Sequence, residues 1–378
     1  MRSVHADGHV VIVSGPWAPE KTGSAVLMGN LLSAFDPASY TVITRRPGAA
    51  AQDQRVRPFL PRSLGRKRLL RWADTLAEPA LVARIVASVL SNQAVAVVGV
   101  YPDLPHLAAA HRAAALTKRP CVVYLHDTVA EAASHGLVAQ RSARVQEAVF
   151  RDATVLVMSQ GMADLYASKY GLTARPVVHA YPEPIPTNPP TDEGDPALLW
   201  AGEVYRINQH AVARVADAAG RAGRTFRLAT RRSPADLAAQ GVKGDHVETT
   251  FFADRPTYLN AIARHSILVL ALDDADESAV HRDELATIFP TKTPEYLATG
   301  RPILVHCPED WFLARFFRGH GCGEVVSSRD PAALDAALRR LADPAVASKL
   351  GAAALRTAAH FKLENVSEAF ARGVAQAR

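Results

Sequence analysis

The stretch FPTKTPEYLATGRPILV, residues 289–305, is the most informative part of this chain. It predicts a loop, a short helix with Thr293 as its N-cap and Glu295 in its first turn, a stop at Gly300 and then a buried parallel strand. Another strand is predicted just before it, in ILVLALDD at 267–274. The helix start should therefore lie beyond the carboxyl end of a strand, where open α/β sheets bind ligands. Because amides at a helix start suit a phosphate and a carboxylate suits a ribose diol, the stretch predicts a nucleoside-diphosphate ligand.

Short β-branched runs alternate with helical patterns on both sides of a proline-rich stretch. This alternation predicts parallel βαβ units and two Rossmann-like domains that face each other across a cleft. We predict an acceptor-binding domain over 1–182, a linker over 183–196, a donor-binding domain over 197–356 and a C-terminal helix over 357–378 that packs back on the first domain. The linker prediction depends on YPEPIPTNPPTDEGDP, whose proline density excludes a helix or a central strand.

The composition indicates a globular enzyme-sized chain. It has 378 residues, 48% of them hydrophobic, and a net charge of +6, which is enough for two cores and argues against disorder. Three cysteines without metal-ligand spacing fit a reducing compartment. Neither a signal peptide nor an apolar run long enough for a membrane span is recognisable, so we expect a cytoplasmic protein. No nucleic-acid-binding motif accompanies the charge.

The positive charge is concentrated in the first half. Residues 1–190 hold 20 Lys and Arg against 13 Asp and Glu, a net +7, and the remainder holds 23 against 24, a net −1. Residues 55–72 are especially basic, with leucines and a tryptophan interleaved. They are either a solvated helix edge or a contact with a phosphate-bearing acceptor or with the anionic inner face of a membrane.

The motifs together resemble a family, the retaining glycosyltransferases of the two-Rossmann-domain (GT-B) type, similar to family 4. There a segment E-x-F-G-x-x-x-x-E, followed by a helix, a Gly and an [RK]-P-[VI] strand, holds the nucleotide-sugar donor. Phe289 matches the inner Phe, Glu295 the second Glu, and 296–303 the helix and strand. The resemblance implies that Glu295 binds the donor ribose, and we place Phe289, Thr291, Lys292 and Thr293 beside the diphosphate.

The same segment departs from the family pattern at two positions. Thr287 stands in place of the first Glu, and Pro290 in place of the loop Gly. Glu284 is near enough in sequence to replace the missing carboxylate as a catalytic group, although a solvated acidic loop is the simpler interpretation. A non-catalytic relative is therefore one alternative to an enzyme.

The second domain opens with WAGEVYRIN, where the family has a Gly followed by an Arg and, five residues on, a Lys that neutralise the diphosphate. Gly202 matches, but Glu203 and Asn208 replace the two cations. Arg206 is our candidate for the missing cation and Arg231 the second choice. Without a cation, departure of the diphosphate would lose an electrostatic contribution of several kcal/mol.

The first domain contributes two further matches. Gly23 and Ser24, at the start of a predicted helix, match the end of the family's P-x-x-G-G-S loop, which approaches a phosphate or the acceptor. His126 and Asp127 follow the strand CVVYL and match the family's H-D pair, whose His lies near the transferred sugar. An ordinary βα turn and a structural histidine are the alternatives.

The sequence thus predicts a glycosyltransferase that moves a sugar from a UDP-, GDP- or dTDP-sugar to a glycan, lipid-linked or small-molecule hydroxyl acceptor. The resemblance implies retention of configuration. The nearest match to a metal-binding Asp-x-Asp is Asp273-Asp274-Ala275-Asp276. We interpret it as a loop, so we expect neither a metal nor a cofactor. A nucleotide-sugar epimerase on the same fold is a further alternative.

Overall fold

The protein forms two compact α/β units. The structure, a computed structural model, describes residues 8–17, 22–44, 56–58, 71–132, 136–191 and 194–377. One unit comprises Met1–Pro182 with Lys362–Arg378, and the other comprises Glu183–Phe361. None of the helices in the described ranges has the length and apolar character that a membrane crossing needs.

The first unit is built on a parallel sheet whose described strands have the order β3-β2-β1-β4-β5-β6-β7. Its central strands are buried along their whole length, because helices cover both faces of the sheet. The strands are β1 Val10–Ser14, β2 Tyr40–Thr44, β3 Val56–Pro58, β4 Ala96–Tyr101, β5 Cys121–Leu125, β6 Thr154–Val157 and β7 Arg175–Pro176. The helices are α1 Gly23–Leu32, α2 Arg71–Ser91, α3 Leu104–Thr117, α4 Leu137–Asp152 and α5 Gln160–Tyr170.

The second unit has a six-stranded parallel sheet of order β10-β9-β8-β11-β12-β13 among its described residues. Its strands are β8 Asp195–Ala201, β9 Phe226–Ala229, β10 Val247–Thr250, β11 His265–Ala271, β12 Ile303–His306 and β13 Glu324–Val326. Its helices are α6 Gln209–Arg221, α7 Pro234–Ala239, α8 Arg255–Arg264, α9 Arg282–Thr287, α10 Thr293–Leu297, α11 Phe312–His320, α12 Pro331–Leu341 and α13 Pro344–Ala358. Both sheets thus have the strand order of a Rossmann domain.

The chain then returns to the first unit. Helix α14, Leu363–Ala375, contacts α1 and β6. Its buried side chains, among them Val366 and Phe370, belong to the core of the first unit. The Phe370 ring lies edge-on to Phe35, with centroids 5.8 Å apart.

Residues 289–305 fold as a loop, a helix and a strand, with one correction to the prediction. Lys292, and not Thr293, is the N-cap of α10, because Thr293 already has helical geometry as the first residue of the helix. Gly300 has a φ of +66°, the left-handed conformation predicted for the helix stop. Strand β12 begins at Ile303 and pairs with β11.

The proline-rich segment packs inside the second unit, to which it belongs from Glu183 onward. A Cβ built on Gly300 would lie 3.2 Å from the Cα of Pro189, and one built on Gly351 would collide with the carbonyl oxygen of Gly300. The segment ends earlier than the predicted position 196, because Asp195 and Pro196 already belong to β8.

We expect Gly351→Ala to destabilise the protein by about 2–3 kcal/mol, because the added methyl group would collide with a backbone oxygen that cannot rotate away. The midpoint of thermal unfolding measures the effect. Gly319→Ala is the matched control, since a Cβ there meets nothing within 4 Å. An alanine in that helix should be neutral or stabilising by up to about 1 kcal/mol. Equal midpoints for the two variants would contradict the described packing.

Candidate functional site

The carboxyl ends of β8 and β11 mark the place where a ligand is expected in the second unit. Strand order reverses there, since β9 lies on one side of β8 and β11 on the other. In open α/β sheets such a switch point is where ligands bind. The loop after β8 begins with Gly202, and α10 follows β11 along the chain, so the predicted donor segment is brought to this edge.

Two side chains of the α10 segment hold the end of β8. The Lys292 amine donates a hydrogen bond of 2.7 Å to the Ala201 carbonyl, and the Ala201 amide donates one of 2.9 Å to the Tyr296 hydroxyl. The Lys292 amine also lies 3.2 Å from the centroid of the Trp200 ring. A Cβ built on Gly202 would lie 3.4 Å from the same amine. The structure thus brings together Gly202 and Lys292, two residues that the sequence predicted separately.

The surroundings of Lys292 change its acidity. Burial lowers the pKa of its amine well below the usual value, while the nearby charge of Glu295 opposes the shift. Burial disfavours the ammonium form because the protein solvates a charge less well than water does. An anion placed beside this amine would therefore favour its protonation.

Glu295 is the centre of a hydrogen-bonded network. One of its carboxylate oxygens accepts from Arg255 at 2.6 Å, and the other accepts from the Tyr258 hydroxyl at 2.6 Å. The Arg255 guanidinium also forms two hydrogen bonds with Glu183. Burial raises the pKa of Glu295, and Arg255 and Tyr258 act in the opposite direction. Each carboxylate oxygen has a second lone pair, so the fixed carboxylate can still accept hydrogen bonds from a ligand.

Arg255 and Tyr258 were not among the predicted site residues. They lie three positions apart in the first turn of α8, hence on the same side of that helix. The helix start itself was recognisable in DRPT, where Asp254 caps α8 and Pro256 follows in the first turn. Which helix side faces Glu295 depends on the packing of α8 against α10, and no sequence pattern encodes that contact.

The remaining residues of the predicted donor loop have varied surroundings. Thr293 is fully buried, and its hydroxyl oxygen has no hydrogen-bond partner. Thr291 is exposed. Phe289 is buried, and its ring packs against Phe316 and Phe361. The proposed ligand contacts of this loop therefore concern backbone groups and threonine hydroxyls more than the Phe289 ring.

The first turn of α6 is occupied by a side chain from the neighbouring strand. Asp273 follows β11 and is fully buried. Its carboxylate accepts a hydrogen bond of 2.7 Å from the Ala211 amide. Its carbonyl accepts another from the Trp311 indole. Burial raises the pKa of Asp273, although the amides that it accepts from oppose the shift.

The two predicted diphosphate cations lie on exposed loops. Arg206 is exposed after β8, and Arg231 after β9 lies over the Phe251 ring, 5.1 Å from its centroid. Within the described ranges neither guanidinium is hydrogen-bonded to Lys292 or Glu295. Phe251 is itself 52% exposed, so this part of the edge presents an aromatic face and a cation to solvent.

Glu284 and Thr287 both lie in α9. The Thr287 hydroxyl donates to the Glu284 carbonyl at 2.9 Å, and the Thr287 side chain is buried. Thr287, which stands where the family has its first Glu, thus uses its hydroxyl group to satisfy a backbone carbonyl of its own helix. The Glu284 side chain is half-buried, and its predicted catalytic role stays a prediction.

In the first unit, His126 lies at the carboxyl end of β5. It is 3% exposed, and neither ring nitrogen has a hydrogen-bond partner. Burial, assisted by His179, lowers its pKa to about 3, so the imidazole is neutral and offers one donor and one acceptor. Its ring is edge-on to Tyr124 with centroids 4.5 Å apart.

The predicted glycine loop begins a helix as expected. Helix α1 starts at Gly23, and Thr22 caps it by accepting a hydrogen bond from the Ala25 amide. Gly23 is exposed and Ser24 half-buried. The side chains of the predicted membrane contact at 55–72 lie outside the described residues.

No cluster of three His, Cys, Asp or Glu side chains in the described part of the chain is arranged to hold a metal ion. Metal independence stays a prediction.

The chain is similar to known proteins in its three-dimensional structure only. No protein-family model matches the sequence, and no curated protein matches it. HepE from Anabaena, solved with UDP-glucose, is 14% identical, with 97% of this chain and 99% of HepE covered and a TM-score of 0.67. A glycosyltransferase from Rickettsia africae is 11% identical, with coverage of 98% and 99% and a TM-score of 0.66. A Listeria monocytogenes protein assigned as a UDP-N-acetylglucosamine 2-epimerase is 11% identical, with coverage of 95% and 94% and a TM-score of 0.54.

The similarity extends over nearly the whole chain and includes both sheets. Each sheet has Rossmann strand order, and the similar structures include HepE solved with UDP and with UDP-glucose and the Rickettsia africae glycosyltransferase. The predicted fold class is confirmed: this chain has the α/β fold with two Rossmann-like domains, GT-B.

Proposed function

We propose that the protein transfers a sugar from a nucleoside-diphosphate sugar to a hydroxyl-bearing acceptor. The observation that carries the proposal is the Glu295 carboxylate, held by Arg255 and Tyr258 beside Lys292 at the switch point of the second sheet. A fixed carboxylate and an amine at that position match the two polar parts of a nucleotide, the ribose diol and the diphosphate.

Glu295 binds the ribose in this proposal. Arg255 and Tyr258 each occupy one carboxylate oxygen from one side, which fixes the plane of the group. The remaining lone pairs are suitably spaced for two vicinal hydroxyl groups, and hydrogen bonds to a charged acceptor are the strong ones. Arg255 and Tyr258 also oppose the effect of burial on the pKa of Glu295, which favours the charged form that the diol needs.

Lys292 supplies the cation for the diphosphate. Glu203 and Asn208 stand where the family has its cations, and Glu203 pairs with Arg232 at 3.3 Å. Gly202 lacks a side chain next to the Lys292 amine, so an anion can approach there. The Thr293 hydroxyl, buried without a partner, is a further donor for a phosphate oxygen. Arg206 and Arg231 keep their predicted roles as additional cations, and Phe289 and Thr291 their predicted places in the donor loop.

The acceptor binds at the carboxyl edge of the first sheet in this proposal. His126 offers one donor and one acceptor to a sugar, and Gly23 and Ser24 begin α1 at the same edge of the first sheet. A glycan, a lipid-linked acceptor and a small natural product all carry the required hydroxyl group. Retention of configuration, the cytoplasmic location and peripheral membrane contact through 55–72 remain implications of the sequence.

The test has two stages. A thermal-shift panel of UDP, GDP, dTDP and ADP should identify the preferred nucleotide, because binding to the folded state raises the unfolding midpoint. Release of that nucleoside diphosphate from its sugar conjugate is then measured with and without hydroxyl acceptors. Acceptor-dependent release supports the proposal. Conversion of UDP-N-acetylglucosamine without an acceptor would indicate an epimerase, and tight binding without any turnover would indicate a non-catalytic nucleotide-sugar-binding protein.

A further inference from the structure

The exposed aromatic side chains of the second unit lie at one edge of its sheet. Within the described ranges, the large hydrophobic residues of this unit that are exposed are Tyr205, at 40%, and Phe251, at 52%. Tyr205 lies in the loop after β8, and Phe251 directly follows β10. Single exposed apolar side chains are common on protein surfaces. Both of these, however, lie beyond the carboxyl ends of strands, at the edge where open α/β sheets bind ligands.

The Phe251 ring is oriented by a cation of the adjacent loop. Strands β9 and β10 are parallel with Ala229 and Thr250 in register, and the Thr230 amide donates to the Thr250 carbonyl. The two strands therefore end at the same level, and the Arg231 guanidinium carbon lies 5.1 Å from the centroid of the Phe251 ring. A cation at this distance is attracted to the ring face. The ring thus has a partner that holds it, while much of the side chain stays exposed.

The loop that begins with Phe251 leads directly to the residues that hold Glu295. The rings of Phe252 and Tyr258 have centroids 6.3 Å apart, and the Tyr258 hydroxyl donates to a Glu295 carboxylate oxygen at 2.6 Å. Helix α8 follows at once, and its first turn carries Arg255, the other donor to this carboxylate. The exposed ring and the fixed carboxylate are therefore connected through one helix turn and the short loop before it.

The proposed function leaves one part of the nucleotide without a binding residue. Lys292 is assigned to the diphosphate and Glu295 to the ribose diol, but no side chain is assigned to the base. The ribose separates the base from the phosphates, so the base should lie away from the Lys292 amine, which contacts the end of β8. Phe251 follows β10, two strands or about 10 Å from β8, whereas Tyr205 lies in the loop of β8 itself. Phe251 therefore fits the base better than Tyr205 does.

We propose that the base of the donor nucleotide stacks on the ring of Phe251. Stacking on an aromatic side chain uses the flat face that every base has, and removing the aromatic ring costs a large part of the affinity for the base. Arg231 is a positioning residue in this inference, because its guanidinium orients the ring. The inference rests on the proposed function and adds the residue that binds the base of the donor.

This assignment predicts how affinity is distributed among nucleotides. Stacking does not read the hydrogen-bonding groups of a base, so Phe251 contributes to the binding of UDP, GDP, dTDP and ADP alike. A variant without the ring should therefore bind each of them more weakly and keep the wild-type order of preference. Inorganic pyrophosphate has no base, and its affinity should not depend on Phe251.

The experiment compares the wild type with Phe251→Leu, which keeps an apolar side chain and removes the flat ring. The ligands are the nucleoside diphosphate that the thermal-shift panel selects and inorganic pyrophosphate, and calorimetry measures both. We expect Phe251→Leu to bind the nucleoside diphosphate about 10–100-fold more weakly and to bind pyrophosphate like the wild type. Phe251→Tyr keeps the ring and should restore the affinity. Because the side chain is exposed, the unfolding midpoint of the free protein should stay the same in both variants.

Tyr170→Leu is the matched control, because Tyr170 is an aromatic residue of the first unit and is 43% exposed. It should bind both ligands like the wild type. Wild-type affinity of Phe251→Leu for the nucleoside diphosphate would overturn the inference and leave the proposed function standing. An equal loss of affinity for the nucleoside diphosphate and for pyrophosphate would overturn it too, since the contact would then not involve the base. If the wild type bound no nucleoside diphosphate of the panel, the proposed function and this inference would both be refuted.

Discussion

Glu295→Gln is expected to weaken UDP binding by about 30–100-fold. Glutamine keeps the size of the side chain but loses the charge that strengthens hydrogen bonds to the ribose, a change of roughly 2–3 kcal/mol. The loss should depend on the ribose. In the wild type, UDP should bind more tightly than 2′-deoxy-UDP, and in the variant the two affinities should become similar. Isothermal titration calorimetry measures both ligands.

The appropriate control is Glu309→Gln, an exposed carboxylate of the same unit that pairs with Arg318. It should bind both nucleotides like the wild type. Tyr258→Phe is a milder version of the test, since it removes one of the donors to Glu295 while leaving the carboxylate in place. Its expected loss is about 1 kcal/mol. If Glu295→Gln weakened UDP and 2′-deoxy-UDP by the same factor, Glu295 would not contact the ribose 2′-hydroxyl group.

Lys292→Met is expected to weaken UDP binding by about 100-fold and to leave uridine binding unchanged. The methionine fills the space of the lysine stem but offers no charge to the diphosphate, which uridine lacks. Calorimetry with the two ligands separates the contribution of the phosphates from that of the nucleoside. Lys243→Met, at an exposed position of the same unit, is the control and should leave both affinities unchanged.

The pH dependence of binding follows from the same residue. The pKa of Lys292 is lowered in the free protein, and a bound diphosphate raises it, so binding takes up a proton. Affinity for UDP should therefore be highest below the lowered pKa and should fall as the pH rises through the higher pKa of the complex. On the acid side, affinity should fall as Glu295, whose pKa is raised, becomes protonated. Lys292→Met should abolish the alkaline fall and the proton uptake.

Stability provides an independent measurement on this variant. A lysine whose folded-state pKa is lowered destabilises the fold below that pKa, and the penalty disappears above the ordinary lysine pKa. Replacing it by methionine removes the penalty at neutral pH, so the unfolding midpoint should not fall. A large drop in the midpoint together with lost binding would mean that the hydrogen bond from Lys292 to Ala201 is chiefly structural.

Much of the fold could be predicted from local patterns. The strand runs, the glycine at 300 and the position of Glu295 in a first helical turn are encoded by neighbouring residues, and the structure contains them. Element ends were less accurate, as the N-cap at Lys292 and the start of β8 at Asp195 show. These ends depend on hydrogen bonds that a pattern of apolar residues does not specify.

The site was predictable only in part, because its contacts join distant segments. Arg255 and Glu295 are 40 residues apart, and Lys292 meets Ala201 across 91 residues. The sequence predicted Lys292 in the donor loop and named Arg206 and Arg231 as candidates for the missing cation, but it did not predict that the Lys292 amine lies beside Gly202.

The buried carboxyl group of Asp273 restricts what the second unit can bind. NAD-type dinucleotides rest their pyrophosphate on the free amides at the start of the helix that follows the first strand of a Rossmann domain. Here that helix is α6, and its Ala211 amide already donates to Asp273. A dinucleotide would have to displace this internal acceptor and would meet a carboxyl oxygen in place of free donors. The Ala211 amide is therefore not free to bind a pyrophosphate in this domain.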